Sequence, residues 1–176
     1  IPVIEEGRLT DARQAEHYLA RVHFFSLWYQ EGLKGWTAKA IIEFHNVNKL
    51  FLLSRSPDAK RRLGRLIAEG FDNGDRPETV ALAYMTEAQK SLNVLTKSGP
   101  IAHAMESVLG KLSSNLSKDE RQEMLEIIHD FRQGLLPRSA PLTLLQHHLR
   151  RCHIDTPIHQ RFLSPIPLSL GLMARV

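Results

Sequence analysis

The spacing of apolar residues constrains the fold of this chain more than any other feature of its sequence. Apolar residues recur every three or four positions in successive segments, and no stretch shows sustained alternation with polar residues. The first spacing follows the turn of an α-helix, whereas a half-buried strand requires alternation. After Pro57, for example, Leu63, Ile67 and Phe71 fall on one helical stripe. The sequence therefore predicts an all-α fold without a β-sheet.

Glycines, prolines and capping residues divide the chain into about seven predicted helices. Capping side chains accept a hydrogen bond from a free backbone N–H, and proline fits a first helical turn. The predicted helices cover, approximately, residues 10–30, 37–55, 57–71, 77–96, 101–112, 117–133 and, with Pro141 in its first turn, 141–152. We expect one compact, irregular helical domain over residues 10–176, preceded by an extended arm or interdomain junction at residues 1–9. The proline-containing tail from Asp155 is predicted to be a loop with at most one helical turn.

Cysteine usage and hydropathy bear on location. Cys152 is the single cysteine, so no internal disulfide can form, which suits a reducing compartment. No apolar run approaches the roughly 18 residues that cross a bilayer. We therefore expect a soluble, cytoplasmic protein with no membrane partner. The chain begins with Ile1 and not with methionine, which predicts that its true N-terminus was removed or lies upstream.

Motifs that carry chemistry are not evident in the sequence. It has no phosphate-binding glycine loop, dinucleotide fingerprint or nucleophile elbow. None of its nine histidines follows a known metal-ligand spacing, and Cys152 lies between Arg151 and His153 without a recognisable catalytic pattern. We expect no catalytic residue, metal site or cofactor within this chain, which leaves open whether it is an enzyme.

Basic residues are concentrated in two segments. Residues 49–65 hold six basic residues against one acidic residue, and residues 131–161 hold five against one. Arg61, Arg62 and Arg65 share the helix surface opposite the predicted apolar stripe. Guanidinium groups on a rigid helix suit phosphate oxygens, although the same pattern is also typical of an ordinary solvated face.

Five segments that keep their order along the chain resemble the YbgA-like family of bacterial domains. They read PVIEEGRL at 2–9, EFHNVNKLFLLSRSP at 43–57, RLGRLIA at 62–68, FRQGLLPRSAPLTLLQHH at 131–148 and QRFLSPIP at 160–167. This family, long catalogued as a domain of unknown function, occurs alone or fused behind a cysteine-rich, iron–sulfur desulfidase domain. The resemblance, with the missing methionine, predicts that this chain is the C-terminal portion of a two-domain protein.

The resemblance also implies a function. Fused members are associated with removing sulfur from 4-thiouridine in transfer RNA, and their YbgA-like half is assigned RNA binding. An iron–sulfur cluster would belong to the fused or partner domain, because one cysteine cannot supply its thiolate ligands.

The predicted RNA-binding residues come from two sources. The resemblance implies His45 and Lys49 in F-H-x-x-x-K, Arg65 in L-G-R, Arg132 in R-x-G-x-x-P and His147 in P-L-T-L-L-x-H. The basic segments add Arg61, Arg62, Arg138, Arg150 and Arg151. Cations of this kind position phosphates, and histidines can donate to phosphate or base edges.

The sequence departs from the family pattern in two places. At residues 103–111 it reads HAMESVLGK, which keeps a glycine but lacks the family's usual asparagine, histidine and tyrosine. Residues 156–158 read TPI, where the family usually has a tyrosine–leucine step. If those positions contact RNA in the family, this member binds differently.

Three hypotheses about function follow. The first is an RNA-binding domain that presents thiolated transfer RNA to a desulfidase. The second is a protein-interaction module that docks to an enzyme without contacting RNA, which would need a contiguous apolar patch. The third is an enzyme that uses His45 or His147 as an acid or base, which would need a pocket joining one of them to a carboxylate.

Overall fold

The computed structural model describes residues 2–154 and 161–166. Over these residues it contains helices and no strand, which confirms the predicted all-α class. The α-helices are α1 Ala12–Gly32, α2 Ala38–Arg55, α3 Pro57–Asp72, α4 Pro77–Ser91, α5 Ser98–Leu112, α6 Lys118–Gln133 and α7 Ser139–Arg151.

Several helix ends have the local chemistry that the sequence indicates. The Asp11 side chain accepts a hydrogen bond from the Gln14 N–H at the start of α1. At the start of α6, Ser117 and Glu120 form a reciprocal capping box. Gly134 ends α6 in the left-handed conformation, with φ 80°, which glycine adopts without steric cost.

Three predicted boundaries were wrong. The arm at residues 1–9 is not extended throughout, because Glu6–Thr10 form a 3-10 helix. Helix α4 ends at Ser91 and not at Thr96, because the chain turns there and Thr96 becomes a buried hydrogen-bond partner. Helix α5 begins at Ser98, so Pro100 lies in its first turn and does not precede the helix.

Over the described residues the core contains two apolar clusters that meet along α2. The first cluster joins α1, α2, α3 and α4, and it includes Phe44 and Leu52 of α2. The second joins α5, α6 and α7 to Leu50 and Leu53 of α2. Helix α2 is therefore the central helix, since its side chains enter both clusters.

The segment at residues 161–166 contributes more to the core than a predicted loop would. It contains a single helical turn, and Phe162 and Leu163 are buried in the second cluster while Ile166 is buried in the first. Arg161 Nη1 lies 3.3 Å from His23 Nε2 of α1. The rest of the predicted tail lies outside the described residues.

Candidate functional site

His45 of α2 lies against α3, and the charges of Lys49 and Lys60 act on it. Its Nε2 lies 3.4 Å from the point where a Cβ on Gly64 of α3 would be, so the absent side chain allows the ring to approach α3 closely. Burial, together with the charges of Lys60 and Lys49, lowers the pKa of His45 to about 4. The imidazole is therefore neutral near pH 7, and the two lysines whose charges act on it are half-buried.

Tyr84 of α4 supports the buried side of this histidine. The Tyr84 hydroxyl lies 3.2 Å from His45 Nδ1. Burial raises the pKa of Tyr84, so the phenol keeps its proton at neutral pH. The Tyr84 ring is stacked on Trp28, with ring centroids 4.7 Å apart, which fixes the position of the hydroxyl. Three helices thus determine where the imidazole sits.

The arginines of α3 lie on the exposed side of the helix, as the apolar stripe predicts. Leu63 and Ile67 are buried, whereas Arg61, Arg62 and Arg65 are exposed. Arg61 pairs with Asp58, and Arg62 Nε donates to Glu87 Oε1 of α4 at 2.7 Å. Among the described residues Arg65 makes no ion pair, so its guanidinium is available to an anion.

The predicted residues of α6 and α7 are in different environments. Arg132, His147, Arg150 and Arg151 are exposed, and Arg151 pairs with Glu120. The shallow cavity that His147 lines has no carboxylate among its described lining residues. This arrangement gives His147 no acid–base partner of the kind that the enzyme hypothesis requires.

Arg138 is directed into the molecule and not toward solvent. Its Nη1 lies 3.2 Å from Glu16 Oε2, and its side chain is only 13% exposed. Arg55, which the charge count placed in a surface cluster, is also buried: its Nη2 donates to Glu16 Oε1 at 2.8 Å. The basic segment at residues 49–65 is therefore less cationic at the surface than its composition indicates.

The structure brings together only part of the predicted set. His45, Lys49 and Arg65 lie on the neighbouring helices α2 and α3, which pack closely. The residues of α6 and α7 belong to a different packing unit, since these helices pack on α5 and on each other. We name the cations of α2 and α3, together with His45, the α2–α3 cationic surface. It consists of His45, Lys49, Lys60, Arg61, Arg62 and Arg65, of which Arg62 and Arg65 line the groove between α3 and α4.

Lys60 and Glu16 are functional candidates that sequence reasoning missed. Lys60 lies one helical turn before Gly64 on α3, but its position near His45 depends on the packing of α2 on α3. Glu16 gave no sequence signal, because its two arginine partners are far away along the chain.

Two further features concern metals and membranes. Within residues 2–154 and 161–166, no three histidine, cysteine, aspartate or glutamate side chains are grouped so that they could hold a metal ion. Over the same residues, no helix combines the length and apolar character required to cross a membrane.

Comparison with known proteins identifies the family. Residues 49–167 match the family described as "Protein of unknown function (DUF1722)", and the chain belongs to this family. The chain is also 26% identical over 139 residues to the "Uncharacterized protein YbgA" of Escherichia coli (strain K12), an alignment that covers 73% of this chain and 76% of that protein. These matches confirm the YbgA-like resemblance. No solved structure matches the chain.

The lowered pKa of His45 predicts a pH dependence of stability. Between about pH 6.5 and 4 the unfolded chain protonates this histidine and the folded chain does not, so acid favours unfolding in that window. We expect the free energy of unfolding to fall between pH 7 and pH 4.5, and His45→Gln to reduce the fall by on the order of 2 kcal/mol. Urea titrations at both pH values measure this difference. An unchanged fall in the variant would contradict the assignment of a buried, neutral imidazole.

Proposed function

We propose that this chain is an RNA-binding domain that acts in the cytoplasm and presents thiolated transfer RNA to an iron–sulfur desulfidase domain, in cis or in trans. The observation that carries the RNA-binding part is the α2–α3 cationic surface. Transfer RNA and the desulfidase come from the family resemblance, in which the YbgA-like half accompanies such a domain.

Cations that make no ion pair within the described part of the chain are the main support for RNA binding at this surface, although Arg65 shares the groove between α3 and α4 with Glu69 and Glu87. Among the described residues, Lys49, Lys60 and Arg65 make no ion pair, and their helices are held rigidly by the first apolar cluster. Lysine and arginine at fixed positions can neutralise successive phosphates and release their counterions, which makes binding depend on salt. A neutral His45 can donate a hydrogen bond to a phosphate or a base edge without adding a positive charge near Lys49 and Lys60.

The test is the combined replacement of Lys49, Lys60 and Arg65 by glutamine. We expect affinity for transfer RNA to fall about 10- to 100-fold at moderate salt, and the slope of log affinity against log salt to become about 2 units shallower. Filter binding or fluorescence anisotropy over a salt series measures both quantities. Arg61 and Arg62 are left unchanged, because each already has a carboxylate partner that weakens its attraction for a phosphate.

A matched control removes the same charge elsewhere. Lys111, Lys118 and Arg121 are exposed, make no ion pair among the described residues and lie outside the α2–α3 cationic surface, so their combined replacement by glutamine should change affinity much less. Equal losses in the two triple variants would mean that net charge alone governs binding. No binding by the unaltered chain at low salt would favour the protein-interaction hypothesis instead. Unthiolated transfer RNA and duplex DNA are compared in the same series.

A further inference from the structure

A charge imbalance is buried where α1, α2 and the start of α7 meet. Arg55 and Arg138 each contact one oxygen of Glu16, at 2.8 and 3.2 Å. The side chains of Arg55 and Glu16 are 4% and 6% exposed. Two guanidinium groups thus face one carboxylate, which leaves one positive charge without a described counterion. Buried charges are costly unless they are paired, so this surplus requires an explanation.

The hydrogen bonding of His17 shows which kind of partner is missing. Arg55 Nη1 lies 3.4 Å from His17 Nδ1, and because a guanidinium can only donate, Nδ1 is the acceptor. Burial, with the charges of Arg55 and Arg21, lowers the pKa of His17 to about 4. The neutral ring therefore carries its proton on Nε2. That N–H is buried and has no hydrogen-bond partner within the described part of the chain.

Other donors around His17 are also without an acceptor. The Nε atoms of Arg21, Arg55 and Arg138 are buried and have no partner among residues 2–154 and 161–166. The Thr96 hydroxyl accepts from Arg55 Nη1 at 3.1 Å, which leaves the hydroxyl proton free to be donated. Buried polar groups in native proteins are almost always satisfied. A set made up only of donors, whose arginines outnumber the carboxylate of Glu16, lacks an anionic acceptor.

There is room for such an acceptor. A cavity of about 400 Å³ is lined by His17, Arg55, Thr96 and Arg138, with Arg13, Glu16 and Ser98 among the other lining residues. A neighbouring cavity of about 610 Å³ shares His17 and Leu95 with it and is also lined by Arg8 and Arg21. Volumes of this size hold small organic ligands. The burial of Arg55 excludes an RNA strand, which would need an open surface.

We propose that this cavity binds a small molecule through an oxyanion group, a phosphate or a carboxylate, held by Arg55, Arg138 and the Nε2–H of His17. The ligand's negative charge balances the surplus guanidinium, and its oxygens accept from the unpartnered donors. This site is separate from the α2–α3 cationic surface, and the proposal does not depend on RNA binding.

Thermal unfolding of the full chain tests the proposal, with inorganic phosphate and acetate as separate probes and potassium chloride at equal ionic strength as the reference. We expect at least one of the two anions to raise Tm by about 3 °C or more. Arg138→Gln removes the charge surplus but keeps the pair between Glu16 and Arg55, so the shift should be lost in this variant. Arg121→Gln, which alters an exposed arginine of α6, should retain it. The anion that gives the larger arginine-dependent shift identifies the ligand's oxyanion as a phosphate or a carboxylate.

Two results would overturn the proposal. The first is an equal rise in Tm in all three proteins, because phosphate stabilises many proteins by exclusion from their surface. The second is that neither anion raises Tm more than potassium chloride does. If Arg138→Gln does not fold, the unaltered protein labelled with ¹⁵N-histidine decides: the probes should shift the ring nitrogens of His17 more than those of the exposed His103 and His147. Equal shifts would reject the site. Because no RNA is present, either failure leaves the proposed RNA-binding function untouched.

Discussion

Replacing Glu16 with glutamine is expected to lower the free energy of unfolding by about 3–5 kcal/mol, because it leaves two buried guanidinium groups without a counterion. The glutamine has nearly the same shape, so the loss reports charge and not packing. Burial disfavours the carboxylate, but the charges and hydrogen bonds of Arg55 and Arg138 outweigh that effect, and the pKa of Glu16 is lowered. The carboxylate therefore stabilises the fold at neutral pH.

Urea unfolding at pH 7 measures this effect, with Glu43→Gln as the matched control. Glu43 pairs with Lys39 at 3.8 Å, and both side chains are largely exposed, so its replacement should cost less than about 1 kcal/mol. The pH dependence supplies a second readout. A lowered carboxyl pKa gives stability that is present above about pH 4.5 and is lost as pH falls, and Glu16→Gln should lack that loss. A cost for Glu16→Gln as small as that for Glu43→Gln would show that the arginines are compensated in another way.

Sequence patterns predicted the elements that depend on local chemistry. The stripe of Leu63 and Ile67 and the capping box at Ser117 and Glu120 are determined within a few residues, and the structure shows both. The end of α4 at Ser91 and the beginning of α5 at Ser98 were misplaced. Thr96 does not extend α4, and its hydroxyl instead accepts a hydrogen bond from Arg55, a residue 41 positions away. Capping and proline signals contain no information about such a contact.

The buried cluster of Glu16, Arg55 and Arg138 likewise could not be predicted from local sequence patterns. Glu16 and Arg55 are 39 positions apart, and their pairing requires α1 and α2 to be packed already. The sequence did contain a weak indication that Arg55 is buried, since it follows Phe51 by one helical turn. Its guanidinium carbon lies 5.1 Å from the centre of that buried ring. The number of basic residues over residues 49–65 does not reflect this helical spacing. It therefore includes Arg55, which is buried.

The family resemblance pointed to His45 and Lys49, and their spacing of four residues puts them on one side of α2. What the sequence could not provide was the contribution of α3. Gly64 lets the His45 ring approach, and Lys60 adds the second lysine, but both depend on the packing of α2 on α3. The site is thus a product of tertiary packing around one short motif.

Phe162→Ala is expected to lower the free energy of unfolding by about 3–5 kcal/mol, although the sequence places this residue in a proline-containing tail. Phe162 is 2% exposed and belongs to the cluster built by α5, α6 and α7. Its neighbour Ile166, 1% exposed, belongs to the other cluster. A segment with one helical turn therefore contributes side chains to both halves of the core, as α2 does.

The matched control is Leu135→Ala, which removes a side chain that is 72% exposed and should change the unfolding free energy by no more than about 0.5 kcal/mol. Urea titration of the three proteins gives the comparison. If residues 161–166 were an unpacked loop, Phe162→Ala and Leu135→Ala would both change the free energy of unfolding by small, equal amounts. That result would contradict the packing of Phe162 in the core. A large loss for Phe162→Ala alone would instead mean that residues 161–166 are part of the folding unit. Truncations intended to isolate the α2–α3 cationic surface must then retain them.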